Sequence, residues 1–119
     1  MKKSKILIVD DDALISMATA ELIEEIGHTA LEANSADQAL AILGADPAVE
    51  IMITDYSMPG MNGLDLAASA SAIRPSLRIL LATGYAELPP GPASDLPRIS
   101  KPFDETELRA HIAALLGEA

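Results

Sequence analysis

The sequence predicts an α/β domain built on a parallel sheet with helices on both faces, and three observations predict it. Short apolar runs alternate five times with helical segments over short links, the pattern of successive βα units. The runs Ile6-Leu7-Ile8-Val9 and Ile51-Met52-Ile53-Thr54 are rich in β-branched residues and almost free of polar ones, as strands covered on both faces are. Each of these two runs stops on carboxylates, Asp10-Asp11-Asp12 and Asp55. The whole, residues 1–119 with a core from about 5 to 117, is of single-domain length.

The first strand is predicted over residues 5–9. Asp12 can cap the helix that follows, in which Ile15, Ala18, Leu22, Ile23 and Ile26 recur at helical spacing opposite Glu21, Glu24 and Glu25, and Gly27 stops it. Residues 29–33 read as a weak strand. Ser35, Asp37 and Gln38 open a second helix carrying Ala39, Leu40, Ile42 and Leu43, which ends over residues 44–47. The third strand covers residues 50–54, and Pro59-Gly60 with Asn62-Gly63 turns the chain into a helix over about residues 64–73. Residues 77–82 form the fourth strand. Prolines at 89, 90, 92 and 97 break the next segment, so the fourth helix is expected to be short or absent. Residues 98–100 give a short last strand, and residues 104–116 a final helix with Leu108, Ile112, Leu115 and Leu116 inward.

Composition narrows the function. A net charge of −10 and only 3% aromatic residues disfavour nucleic-acid binding, which needs basic patches and stacking rings. The absence of cysteine removes disulfides, thiolate catalysis and the common zinc clusters, and fits a cytoplasmic location. No apolar run approaches the roughly 20 residues of a membrane-spanning helix, so an acidic, soluble protein with protein partners and no membrane is expected. His28 and His111 read as surface or helix-end residues, and Met17, Met52, Met58 and Met61 as core and turn packing.

A parallel sheet gathers the carboxyl ends of its strands along one edge, where ligands bind. Asp10, Asp11, Asp55, Thr83 and Lys101 are expected to meet there. Two like charges about 4 Å apart repel by roughly 4 kcal/mol at an effective dielectric of about 20, so this edge needs positive charge. Lys101 supplies one unit. An oxygen-only set without histidine or cysteine suits a hard divalent cation such as magnesium, and magnesium beside carboxylates points to phosphoryl chemistry. Capping explains Asp12, but one cap does not need three acids.

Four fragments in order, Ile8-Val9-Asp10-Asp11-Asp12, Ile53-Thr54-Asp55-Tyr56-Ser57-Met58-Pro59-Gly60-Met61-Asn62-Gly63, Leu81-Ala82-Thr83-Gly84 and Lys101-Pro102-Phe103, resemble the receiver domain of two-component response regulators. The resemblance covers nearly the whole chain. It implies a flavodoxin-like receiver fold with sheet order 2-1-3-4-5, and a phosphoryl group taken onto Asp55 from a phosphohistidine of a sensor histidine kinase or histidine phosphotransfer protein. It implies Mg2+ held by Asp10, Asp11, Asp55 and the backbone carbonyl of Ser57, with Lys101 and Thr83 contacting the phosphoryl oxygens. Gly84 would leave space for that group, the Lys101-Pro102 peptide would be cis, and Phe103 would be core. Such a protein is a stand-alone signalling module, a monomer or weak homodimer with a downstream protein target. It promotes its own phosphorylation and dephosphorylation but is not a conventional enzyme.

Two departures bear on the switch. Many receivers carry an aromatic residue three positions before the lysine, where this chain has Arg98, and Tyr85 follows Thr83-Gly84. The chain thus resembles a Thr-Gly-Tyr subset, in which ordering of residues 85–97 is expected to replace the aromatic switch. Two other readings compete. The run Ile8 to Asp12 also fits the start of haloacid-dehalogenase-like phosphatases, with Asp10 as nucleophile, but the paired acids that family needs after its lysine are missing. A non-phosphorylated pseudo-receiver acting as a binding module is the other, although every expected site residue is present.

Overall fold

The computed structural model describes residues 3–58, 60–84 and 96–117. Five strands form one parallel sheet: β1 (Lys5–Val9), β2 (Thr29–Ala33), β3 (Val49–Asp55), β4 (Arg78–Thr83) and β5 (Arg98–Ser100). Their spatial order is β2-β1-β3-β4-β5. Among the described residues the helices are α1 (Ala13–Ile26), α2 (Ala36–Ala45), α3 (Gly63–Ile73) and α4 (Glu105–Leu115). The expectation of a short or missing helix between β4 and β5 falls on residues 85–95, outside the described residues, as does Tyr85. No helix among the described residues is long and apolar enough to cross a membrane.

Alternation along the strands divides the core into two layers. Leu7, Val9, Met52 and Ile79 face α2 and α3, where Ala39, Leu43, Leu66 and Ala70 meet them. Ile6, Ile8, Ile51, Ile53, Leu80 and Ile99 face α1 and α4, against Ile23, Ile26, Leu108 and Ile112. With helices on both faces, the central strands have no polar side, which is why their sequences read as unbroken apolar runs.

The inward face of α1 differs from the expected one. Ile23 and Ile26 are buried, but Ile15 and Ala18 are exposed, and Ser16, Thr19 and Ala20 are the buried residues of the first turns. Small side chains let the helix start lie close to the sheet edge, and Ser16 is needed there for hydrogen bonds described below. Met17 is also exposed, so it is not core packing. Phe103 is half-buried, packed on the α1/α4 layer with part of its ring at the surface.

One irregularity sets the level of the sheet's edge. Lys5 pairs with Val49, but Ile6 pairs with Ile51, so β3 holds one extra residue, Glu50. From there Val9 lies opposite Thr54, and Asp10 and Asp55 both follow one step beyond. Without that bulge Val9 would face Ile53, and the two acids would be out of level by one residue.

The opposite, amino-terminal end of the sheet is tied by polar contacts. His28, expected at the surface or at a helix end, directly follows the Gly27 cap of α1 but is buried, and its Nδ1 accepts a hydrogen bond from the Ser4 backbone N–H at 3.0 Å. Arg74, which ends α3, reaches across to donate to the carbonyls of Leu43, Asp46 and Val49, closing the end of α2. Lys5 Nζ lies 2.6 Å from Asp46 Oδ2. The hydrogen bond from Lys5, and then that from the Ala48 backbone N–H, hold the Asp46 carboxyl below its ordinary value of 3.8. Because the folded-state value is the lower one, the unfolded chain binds the extra proton as pH falls. The contribution of this bridge is therefore complete well above pH 3.8 and lost as pH drops below that value. Asp46→Asn should lower the urea midpoint at neutral pH, and the gap from wild type should shrink as pH falls through the acid range.

Candidate functional site

The site forms at the carboxyl edge of the three central strands and β5. Register carries the residues there: Asp10 and Asp55 end β1 and β3 side by side, Asp55 pairs with Ala82, and Thr83 pairs with Ser100 just before Lys101. The Lys101 backbone N–H donates to the Thr83 carbonyl at 2.8 Å, extending the β4–β5 ladder by one bond. The Lys101-Pro102 peptide is cis.

Carboxylate oxygens of Asp10, Asp11 and Asp55 lie within 4.8 Å of one another; Asp10 and Asp55 are buried and Asp11 is exposed. At that separation each like-charge pair repels by about 3–4 kcal/mol at an effective dielectric of about 20. Lys101 Nζ contacts Asp55 Oδ1 at 2.6 Å and lies 3.7 Å from Asp10 Oδ2. Three negative charges against one positive leave the cluster at −2. The donor set is all oxygen, converges from two strand ends and carries the charge a divalent cation would cancel, so Mg2+ fits it.

The backbone around the acids is held in place. Asp12 caps α1, its carboxylate accepting from the Leu14 and Ile15 N–H groups, while its own N–H donates to Asp10 Oδ1 at 2.9 Å. Behind Asp55, the Tyr56 N–H donates to the Ala82 carbonyl and the Gly63 N–H to the Tyr56 carbonyl at 2.7 Å. Gly63 opens α3 against this strand end, where a Cβ would lie 2.7 Å from the Asp55 carbonyl oxygen and 2.9 Å from Tyr56 Cα. Both neighbours are backbone and cannot swing aside.

Thr83 is buried at the end of β4, Gly84 follows it, and Ser57 lies in the exposed loop two residues past Asp55. Those residues lie at or just past the ends of β3 and β4, at the same edge of the sheet as the acids. Three that sequence reasoning did not single out are Ser16, Glu32 and Asn34, which hold the Asp10 backbone and leave no motif of their own.

Two spaces adjoin the cluster. A small cavity of about 20 Å3, enough for one water molecule, lies beneath Asp10, Asp55 and Lys101, walled by Ile8, Ile53 and Phe103. Outside it an open groove of about 520 Å3 runs along α1, lined by Leu14, Ile15, Ala18 and Leu22 and closed by Pro102 and Phe103. Leu14 is 75% exposed and Ile15 41%.

Residues 6–113 match the family model described as the response regulator receiver domain. Response regulator receiver protein CpdR of Brucella abortus is 32% identical over 116 residues, 94% of this chain and 96% of that protein. Sporulation initiation phosphotransferase F of Bacillus subtilis is 31% identical over 113 residues, covering 92% and 90%. Transcriptional regulatory protein CpxR of Klebsiella pneumoniae is 34% identical over 116 residues, but the chain spans only 49% of its length. Among solved structures, a CheY-like receiver domain protein from Methanospirillum hungatei superposes with a TM-score of 0.85 at 28% identity, over 98% of this chain and 95% of that one.

Gly63→Ala tests the close approach. Alanine favours a helix over glycine by up to about 1 kcal/mol, whereas overpacking costs about 1–3 kcal/mol. The variant should be less stable than wild type in urea unfolding, with amide shifts centred on Asp55 and Tyr56.

Proposed function

The chain belongs to the response regulator receiver domain family, and on that premise we propose that Asp55 accepts a phosphoryl group from a protein phosphohistidine and signals through changed protein contacts. The observation that carries this reading is the pairing of Asp55 Oδ1 with Lys101 Nζ at 2.6 Å beside two further carboxylates. An Asp55 oxygen forms the new bond to phosphorus as the phosphorus–nitrogen bond of the donor breaks, and that bond's electron pair returns to the imidazole ring. Little covalent chemistry falls to the protein in such a transfer, so catalysis is positioning and charge stabilisation.

Lys101, already against Asp55, is placed to follow the phosphoryl oxygens as charge moves onto them. Thr83, one step past the residue that pairs with Asp55, is proposed to donate its hydroxyl to another of those oxygens, with Gly84 leaving room. Asp10, Asp11, Asp55 and the Ser57 carbonyl are the proposed holders of Mg2+. That ion would neutralise phosphoryl charge and template the in-line geometry. The dehalogenase-like alternative is a different family from the one matched, and Lys101 favours Asp55 over Asp10 by more than 1 Å.

A protein donor is supported by the apolar groove along α1, which ends at Lys101 and Pro102 beside the acids. Exposed leucine and isoleucine next to an acidic pocket suit a partner that buries apolar surface while presenting its phosphorylated side chain to Asp55. Domains of this kind act as signalling modules, and the output proposed here is contact with a downstream protein.

Intact mass after incubation with a small phosphodonor tests the central claim. Wild type should gain one phosphoryl group only with Mg2+, and Asp55→Asn should gain none; a gain that survives Asp55→Asn and vanishes in Asp10→Asn would move the nucleophile. The groove is tested by Leu14→Glu. Transfer from a phosphohistidine protein should slow about tenfold, equivalent to about 1.4 kcal/mol, with the small-donor rate unchanged.

A further inference from the structure

A hydrogen-bonded chain outside the acidic cluster ends on its backbone. Asn34 follows β2, and its Nδ2 donates to the Asp10 carbonyl oxygen at 2.8 Å and to Ser16 Oγ at 3.1 Å. The buried Ser16 hydroxyl donates in turn to Glu32 Oε1 at 2.9 Å, with the Ala13 carbonyl at 3.1 Å as a second acceptor. Asn34 is itself anchored, because its backbone N–H donates to Gln38 Oε1 at 2.7 Å in the first turn of α2. The run Glu32, Ser16, Asn34, Asp10 thus ties β2, α1 and α2 to one peptide group.

That peptide group is the one between Asp10 and Asp11. Because the peptide is planar, fixing the Asp10 carbonyl also fixes the plane in which the chain continues to Asp11. The other contacts hold Asp10 at different atoms: its N–H donates to the Ala33 carbonyl at 3.1 Å and its Oδ1 accepts from Asp12. Among the described residues, Asn34 provides the side-chain contact to the carbonyl. Asp11 is exposed and still belongs to the carboxylate cluster.

We propose that Asn34 is a positioning residue for divalent-cation binding: oriented by Ser16 and Glu32, it fixes the Asp10–Asp11 peptide so that the Asp11 carboxylate points into the cluster. The inference rests on the reading of Asp10, Asp11 and Asp55 as cation holders. Partners that orient metal ligands typically contribute about 10–100-fold in metal affinity. Only the amide of Asn34 can give both bonds, since Asp10 O is an acceptor and the Ser16 proton is committed to an acceptor.

The test is Mg2+ titration followed by amide NMR shifts, with wild type, Asn34→Ala, Asn34→Asp and Glu32→Gln. Asn34→Ala should weaken Mg2+ about tenfold and move the Asp11 amide even without the ion. Asn34→Asp separates positioning from charge, because an added carboxylate near the cluster would raise cation affinity on electrostatics alone. A loss of affinity in that variant supports positioning and a gain overturns it. Glu32→Gln should give a smaller loss of the same kind. Asn34→Ala within twofold of wild type, or wild type without Mg2+ affinity, overturns the proposal. Phosphorylation is read separately: a wild type that binds Mg2+ but never gains mass would sink the Asp55 reading while leaving the affinity comparison intact.

Discussion

Repulsion among Asp10, Asp11 and Asp55, opposed by Lys101, is the constraint around which the carboxyl edge of this sheet is arranged. An edge holding two buried carboxylates and a third at its rim gains nothing from hydrophobic burial, and one ammonium leaves it two charges short of neutral. Its geometry must therefore be imposed from outside the cluster. The β3 bulge brings Asp55 level with Asp10, the ladder bond from Lys101 to Thr83 fixes where the lysine emerges, and Gly63 lets α3 start directly behind the Asp55 backbone. Each of these is a backbone device. Side-chain contacts would add selectivity but could not by themselves hold like charges together.

The two ends of the sheet consequently have opposite characters. At the amino-terminal end, polar groups meet partners of complementary type: Arg74 with three carbonyls, Lys5 with Asp46, His28 with the Ser4 amide. Of these, His28 and Ser4 are buried, and their pairing avoids the desolvation cost of about 1–3 kcal/mol that an unsatisfied buried polar group carries. The carboxyl end carries two negative charges in excess instead, so binding of positive or polyvalent species there is linked to stability. Ligands that bind only the folded state stabilise it by mass action, and a cation at this edge would do so by removing repulsion already present.

Much of this was legible because strand and site coincide. Ile6 to Val9 and Ile51 to Thr54 are buried on both faces, so their sequences are uninterrupted, and the acids that end them stand out. The cap at Asp12 and the helix opening at Ser35 also fall where helices begin. What was not legible depends on distance in sequence. The inward face of α1 was misjudged because Ser16, Thr19 and Ala20 are inside for reasons of close approach and hydrogen bonding, whereas periodicity counts only apolar side chains. The burial of His28 just past the end of α1 is hidden for the same reason, since its partner is a backbone amide 24 residues earlier. Asn34 reads as an ordinary residue before a helix cap, and only the fold brings it to Asp10.

Those misplaced apolar residues connect the site to the surface. Ile15 and Ala18, displaced from the core by Ser16 and Thr19, become part of the groove that Pro102 and Phe103 close. The same turn of α1 thus presents apolar atoms outward and a serine inward to the chain of hydrogen bonds that ends on Asp10. Lys101 faces both spaces, the small cavity under the acids and the outer groove. A change in where its ammonium rests, from Asp55 toward a group carried on Asp55, would be felt at Pro102 and Phe103 because they follow it directly along the chain. One helix turn and one tripeptide therefore border the charged cluster on one side and the apolar groove on the other, which places the two within a few residues of each other.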